Sequence, residues 1–282
     1  MYRYSLNHEQ VLNKLPQRNI DAHKGDFGRI LLLCGSRGYT GAAALAAMGA
    51  LRCGAGLVYL GVPENIYAIE AVKLTEPVVF PLPDVDGKLS SEAIPQISQM
   101  LSNMDAVLIG PGLGQSCGTL SVLETVLSEA QCPVIIDADG INLLSTHKDM
   151  LRGRQAPSAI TPHMGEFMRL GGNINVDRSI AASEMARDLG AIVVLKGSGT
   201  IITDGESCCI NVTGNPGMAV GGSGDVLAGM ITSFVGQGIS PMDAAACAVW
   251  LHGAAGDICA KELGQYGMLP TDMLEALPRL MK

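Results

Sequence analysis

Six short apolar runs, rich in β-branched residues, occupy the first two hundred positions: residues 29–34, 57–62, 106–112, 133–140, 158–162 and 192–197. Each is closed by glycine or proline. An unbroken apolar run of this length, without polar alternation, reads as a strand buried on both faces. Helical patterns lie between the runs, at 41–52, 90–103, 119–129 and 176–189. Strand alternating with helix implies a mostly parallel sheet covered on both sides. Further on, 199–213 reads as a hairpin turned at Asp204-Gly205, followed by helical stretches at 222–234, 241–263 and 271–281. No repeat, low-complexity tract or linker interrupts the chain, so residues 1–282 are expected to form one α/β domain.

Glycine accounts for 35 of the 282 residues, well above an average of about 7%, and its clusters follow the strand-like runs, where α/β folds bind ligands. The net charge of −8 and the absence of any Lys/Arg run exclude nucleic acid as an expected partner. No apolar stretch is long enough to span a membrane, and the N-terminal residues lack the apolar core of a secretory signal. A cytoplasmic location is expected. The eight cysteines contain no CxxC pair and sit mostly in apolar surroundings, so buried structural thiols are expected and no protein-held metal site.

The strongest chemical signal is NPGMAVGGSGDVLAGM at 215–230. Gly221, Gly222 and Gly224 precede Asp225 and an apolar helical run, so backbone amides can converge where the helix begins and form an anion hole. Such donors suit a phosphoryl group in transfer, and Asp225 stands ready to take a proton from an attacking hydroxyl. A plainer reading makes Asp225 a helix cap, with Gly222 serving the turn alone. In VLKGSGT, Lys196 ends a strand and Gly197 and Gly199 open a turn able to hold nucleotide phosphates. TPHMGEF places His163 and Glu166 after another strand, with Glu166 available to orient water around a magnesium ion. HKGDFG followed by GS and YTGAA supplies small residues, Gly41, Ala42 and Ala43, for close approach of a flat ligand. GPGLG, at 110–114, ends a further strand. A P-loop and a dinucleotide-binding GxGxxG are both absent.

Taken in order, HKGDFG, GS, YTGAA, GPGLG, TPHMGEF, KGSGT and NPGMAVGGSGD resemble the ADP- or ATP-dependent NAD(P)H-hydrate dehydratases, relatives of ribokinase, over nearly the whole chain. The resemblance implies a ribokinase-like three-layer αβα sandwich with a mostly parallel central sheet. It implies dehydration of the S-form of NAD(P)H hydrate (NADHX and NADPHX), restoring NADH or NADPH with release of AMP or ADP and phosphate. Asp225, Gly222 and Gly224 match catalytic positions. Lys196, Gly197, Ser198, Gly199, Thr200 and Gly224 match the nucleotide segment, and Ala43, Gly112, Gly114, His163 and Asp225 match the hydrate site. Mg2+ is implied as a cofactor held by phosphates and water, with ADP or ATP as co-substrate and a homotetramer as the assembly, its interface built from apolar helices near the N-terminus. Some relatives carry an N-terminal epimerase domain. This sequence is expected to lack one and to depend on a separate NAD(P)H-hydrate epimerase. The nearest alternative is a kinase of a small alcohol such as hydroxyethylthiazole, and a more distant one is a non-catalytic nucleotide sensor.

Overall fold

The computed structural model describes residues 2–282. The chain runs through β1 (Tyr2–Tyr4), α1 (His8–Leu12), β2 (Arg29–Leu33), α2 (Thr40–Arg52), β3 (Leu57–Pro63), α3 (Glu64–Lys73) and β4 (Val78–Leu82). A small ribbon, β5 (Asp84–Val85) and β6 (Lys88–Leu89), leads to α4 (Ile94–Leu101), β7 (Ala106–Ile109), α5 (Cys117–Glu129), β8 (Val134–Ile136), α6 (Asp139–Leu144) and β9 (Ser158–Ile160). Then come α7 (Met164–Arg169), α8 (Arg178–Leu189), β10 (Ile192–Leu195), β11 (Ile201–Thr203), β12 (Ser207–Ile210), α9 (Ser223–Gly236), α10 (Pro241–Leu263) and α11 (Pro270–Leu280).

Ten strands form one sheet in the order β1-β12-β11-β10-β9-β8-β7-β2-β3-β4, and β11 alone of these runs antiparallel to its neighbours. Successive side chains on a strand point to opposite faces, and the strands use both. Ile30, Leu32, Leu108, Ile135 and Val194 join a core with α2, α9 and α10. Leu31, Leu33, Val107, Ile109, Ile136 and Val193 join a second core with α4, α5 and α8. The result is a three-layer αβα sandwich of α/β class.

All six expected strands form, and the hairpin turns where expected: Asp204 Oδ1 accepts from the amides of Glu206 and Ser207, with Gly205 at φ 98°. Sequence reading missed β1, α1, α3, β4, the ribbon, α6 and α7. β4 carries Pro81, which argues against a central strand but is tolerated at the sheet edge where β4 lies. The helix expected over 90–103 begins instead with a 3₁₀ turn, Ser91–Ala93, and turns α-helical at Ile94, next to Pro95. Six cysteines are buried, whereas Cys132 is half-buried and Cys117 exposed; all eight are free thiols. One side of α2 packs on α9 and α11 within the chain, while Leu45, Met48 and Leu51 of α2 are only partly buried. Among the described residues no helix is long and apolar enough to cross a membrane.

Candidate active site

From β2 the chain steps outward to β3 and β4, returns to β7 beside β2, and then steps outward the other way. The crevice at the carboxyl ends of β2 and β7 is therefore the topological switch point, where open α/β sheets bind ligands. Gly35 N–H donates to Pro111 O (2.8 Å) across it, and Ser36 Oγ donates to Gly112 O (2.7 Å). Gly110 must be glycine: its φ is 131°, and a Cβ there would lie 1.9 Å from Asp137 O. A Cβ on Gly112, at φ 61°, would lie 2.9 Å from the Cβ atoms of Tyr39 and Ala42 at the start of α2. Ala43 departs from expectation. It is fully buried, its methyl group facing Gly35, so it shapes the wall beneath the crevice without lining it.

Beyond β8, Ala138 adopts φ 49° and ψ −116°. An L-residue is held there only at a cost on the order of 1–3 kcal/mol, and such strain clusters at functional sites. It separates two acids. Asp137 is 1% exposed and accepts from Lys196 Nζ (2.6 Å) and Thr161 Oγ1 (2.5 Å). Asp139 Oδ2 accepts from Gly114 N–H (2.9 Å). Burial works against the Lys196 ammonium, but Asp137, Glu166 and Asp225 outweigh it and raise its pKa.

Asp225 sits in the first turn of α9, which has no side-chain cap; Gly222 is the N-cap residue, at φ 95°. The Gly224 and Asp225 amides make no hydrogen bond to a described residue, so an uncompensated dipole end faces the site. Burial pushes the Asp225 carboxyl up to about 7, with Asp137 adding to the shift, Lys196 opposing it and Asp139 adding again. These neighbours belong to the ends of β8 and β10. A Cβ on Gly222 would strike Leu45 Cδ1 at 2.4 Å.

A cavity of about 920 Å³ opens on one side of this junction. Lys196, Gly197, Ser198, Gly199, Thr200 and Gly224 all line it, together with His163 and residues 211–216. Ala43, Gly112, Gly114, Gly222 and Asp225 do not. The expected nucleotide residues thus share one cavity wall, while most expected hydrate residues lie toward the switch point. His163 caps α7: its Nδ1 accepts from the amides of Gly165 (2.9 Å) and Glu166 (3.3 Å), which leaves the ring proton on Nε2. Burial lowers its pKa, reinforced by Lys196 and Arg169. Glu166, expected to orient water around a metal, is 4% exposed and spends Oε2 on the His163 amide (2.7 Å).

Residues 30–279 match a family model described as NAD(P)H-hydrate dehydratase. The chain belongs to this family. It is 36% identical over 281 residues to the ADP-dependent (S)-NAD(P)H-hydrate dehydratase of Bacillus subtilis, covering 97% of this chain and 96% of that protein. It is 43% identical over 277 residues to the bifunctional NAD(P)H-hydrate repair enzyme of Moorella thermoacetica, covering 96% of this chain and 52% of the relative. The chain thus spans about half the length of the first curated relatives it matches. A crystal structure of the Bacillus subtilis ADP/ATP-dependent NAD(P)H-hydrate dehydratase, co-crystallised with ATP/Mg2+, superposes with a TM-score of 0.84 at 33% identity, covering 97% of this chain and 96% of that one. A hydroxyethylthiazole kinase from Pyrococcus horikoshii, 17% identical with a TM-score of 0.64, shares the fold alone.

For this member of the NAD(P)H-hydrate dehydratase family, sequence reading missed several site residues. Asp137 and Asp139 were legible as a DADG at a strand end, but the segment was read only as a strand. Arg178 donates from Nη1 to Ser198 O (2.7 Å), bracing the 196–200 loop from behind. His252 lines the cavity, 3.4 Å from Ser223 Oγ, and burial drives its pKa down to about 4. Both come from remote helices, and no local motif marks them.

Proposed function

We propose that this protein dehydrates the S-form of NADH or NADPH hydrate using the terminal phosphate of ADP or ATP. The observation that carries the reading is the place of Asp225: a carboxyl at the open N-terminus of α9, pushed up to about 7 by burial, beside Asp137 and Lys196. A base is most effective when its pKa lies near the working pH. Asp225 takes the proton from the hydroxyl of the hydrated ring, and the oxygen attacks the terminal phosphoryl group. The amides around Gly222 and Gly224 receive charge on the phosphoryl oxygens as AMP or ADP departs. The ring nitrogen's lone pair then expels phosphate with cleavage of the carbon–oxygen bond, and loss of a proton from the adjacent carbon restores the ring double bond.

In this reading Lys196, Gly197, Ser198, Gly199, Thr200 and Gly224 hold the nucleotide, and Gly112, Gly114 and His163 flank the hydrate. Among the described residues no three His, Cys, Asp or Glu side chains converge to hold a metal ion. Magnesium, if bound, would be held by the nucleotide phosphates and water, and would supply charge neutralisation there. ADP is the preferred donor, as the name of the Bacillus subtilis relative supports. The proposal extends to one domain acting in the cytoplasm as a homotetramer, alongside an NAD(P)H-hydrate epimerase, a link supported by the bifunctional repair enzymes among its relatives.

The test is stoichiometric. Hydrated NADH, ADP or ATP, and magnesium should yield one inorganic phosphate per reduced nicotinamide, followed by the near-ultraviolet absorbance of the product. Accumulation of a stable phosphate ester of a small alcohol, with no gain in absorbance from the hydrate, would make the protein a kinase.

A further inference from the structure

A second hollow, about 530 Å³, lies apart from the nucleotide cavity and is walled by Gln115, Asn142, Ser145, Thr146, His147 and Arg169. Hydrogen bonds tie it to the switch-point crevice. Gly114 N–H donates to Asp139 Oδ2 (2.9 Å), and Asp139 Oδ1 accepts from Gln115 Nε2 (3.3 Å) and Asn142 Nδ2 (3.4 Å). Asn142 Oδ1 in turn accepts from Arg169 Nε (3.0 Å). Asn142 thereby fixes the guanidinium while Nη1 and Nη2 make no hydrogen bond or ion pair with a described residue. No acidic residue lines the hollow, and the one carboxylate near it, Asp139, already accepts three hydrogen bonds.

A guanidinium held by one edge, with its remaining N–H groups free, is matched to the oxygens of a phosphate monoester. The two hydrated dinucleotides differ by one such group, on the ribose of the adenosine half. With the reacting ring at Asp225 and the co-substrate in the larger cavity, the hollow is the remaining recess joined to the switch-point crevice, through Asp139 and Gly114. Its volume falls within the range of small-molecule sites.

We propose that the hollow receives the adenosine end of the dinucleotide and that Arg169 binds the ribose phosphate, making hydrated NADPH the preferred substrate over hydrated NADH. This rests on the dehydratase reading above. It can nevertheless be tested without turnover, because the reduced products NADPH and NADH occupy the same site and their own fluorescence reports binding.

The wild-type protein should bind NADPH at least ten times more tightly than NADH, with the ratio of kcat/KM for the two hydrates shifted the same way. Arg169→Ala should shrink both ratios by about 10- to 100-fold, the range expected for lost charge-assisted hydrogen bonds, and Arg169→Lys should retain part of each. Equal binding of NADPH and NADH by the wild-type protein, or an Arg169→Ala variant that leaves the ratio unchanged, would overturn the subsite. If neither hydrate turns over but the Arg169-dependent preference for NADPH persists, the reaction is wrong and the subsite stands.

Discussion

Lys196 Nζ lies 2.6 Å from Asp137 Oδ1, with 18% and 2% of the two side chains exposed, so a largely buried ion pair joins the ends of β8 and β10 beside the larger cavity. Removing one partner of such a pair strands the other in a poorly solvated place. Asp137→Asn should therefore lower stability by about 3–5 kcal/mol, and Asp137→Asn combined with Lys196→Met should recover much of the loss. Urea denaturation of the three proteins checks this. A single variant within about 1 kcal/mol of wild type would mean that solvent screens the pair.

Asp225→Asn should reduce turnover by about 100- to 10,000-fold while nucleotide affinity stays roughly intact, because Asp225 does not line the cavity. Calorimetric titration with ADP, set beside the rate, separates the two effects. A variant keeping more than about a tenth of the wild-type rate would reduce Asp225 to a helix-terminal residue.

The raised pKa of Asp225 gives two pH effects of definite sign. The base form exists above about 7, so kcat/KM should climb about tenfold per pH unit below that point and level off above it. For stability, folding favours the neutral acid, so the unfolded chain binds fewer protons than the folded one between the ordinary carboxylate range and about 7. Stability contributed by this group is lost as pH rises through that window. Asp225→Asn should then melt about 2–4 °C higher than wild type at about pH 8 and match it near about pH 4. Identical melting temperatures at both pH values would rule out the buried-acid account.

Gly222→Val should damage the fold before the chemistry. The residue holds φ 95°, and its Cβ would meet Leu45 Cδ1 at 2.4 Å and Pro270 Cγ at 3.4 Å. Strained backbone and overpacking each cost about 1–3 kcal/mol. Gly221→Ala, whose Cβ would meet nothing within 4 Å, should change stability by less than about 0.5 kcal/mol. Thermal melts of the pair decide the matter; a Gly222→Val protein that is inactive yet melts normally would show that the side chain obstructs the anion hole and leaves the fold intact.

Arg178→Ala should raise KM for ADP or ATP about 5- to 10-fold with kcat little changed, because its guanidinium donates to Ser198 O and so orients the 196–200 loop without touching the cavity. Arg178→Lys should rescue part of the affinity. A matched fall in kcat would place the loop in the chemical step.

The alternation of apolar runs and helical patterns was sufficient for the layered α/β class, since both periodicities are local properties of the chain. KGSGT and GGSGD were legible as glycine-rich turns at element ends for the same reason: a contiguous backbone segment carries its own donors. Neighbours across the sheet were not legible. β1 pairs with β12 across some two hundred residues, Asp137 meets Lys196 at a separation of 59, and Ala43 turns into the core while Ala42 faces Gly112. The same holds for Gly222, whose need for positive φ could be suspected from GGSGD, whereas the direction of its missing side chain depends on where α2 packs against α9. Hydropathy says that a residue is buried and not against what. The partner is chosen by crossover topology and by the packing of helices on the sheet, and those set the electrostatic surroundings that move Asp225 to about 7.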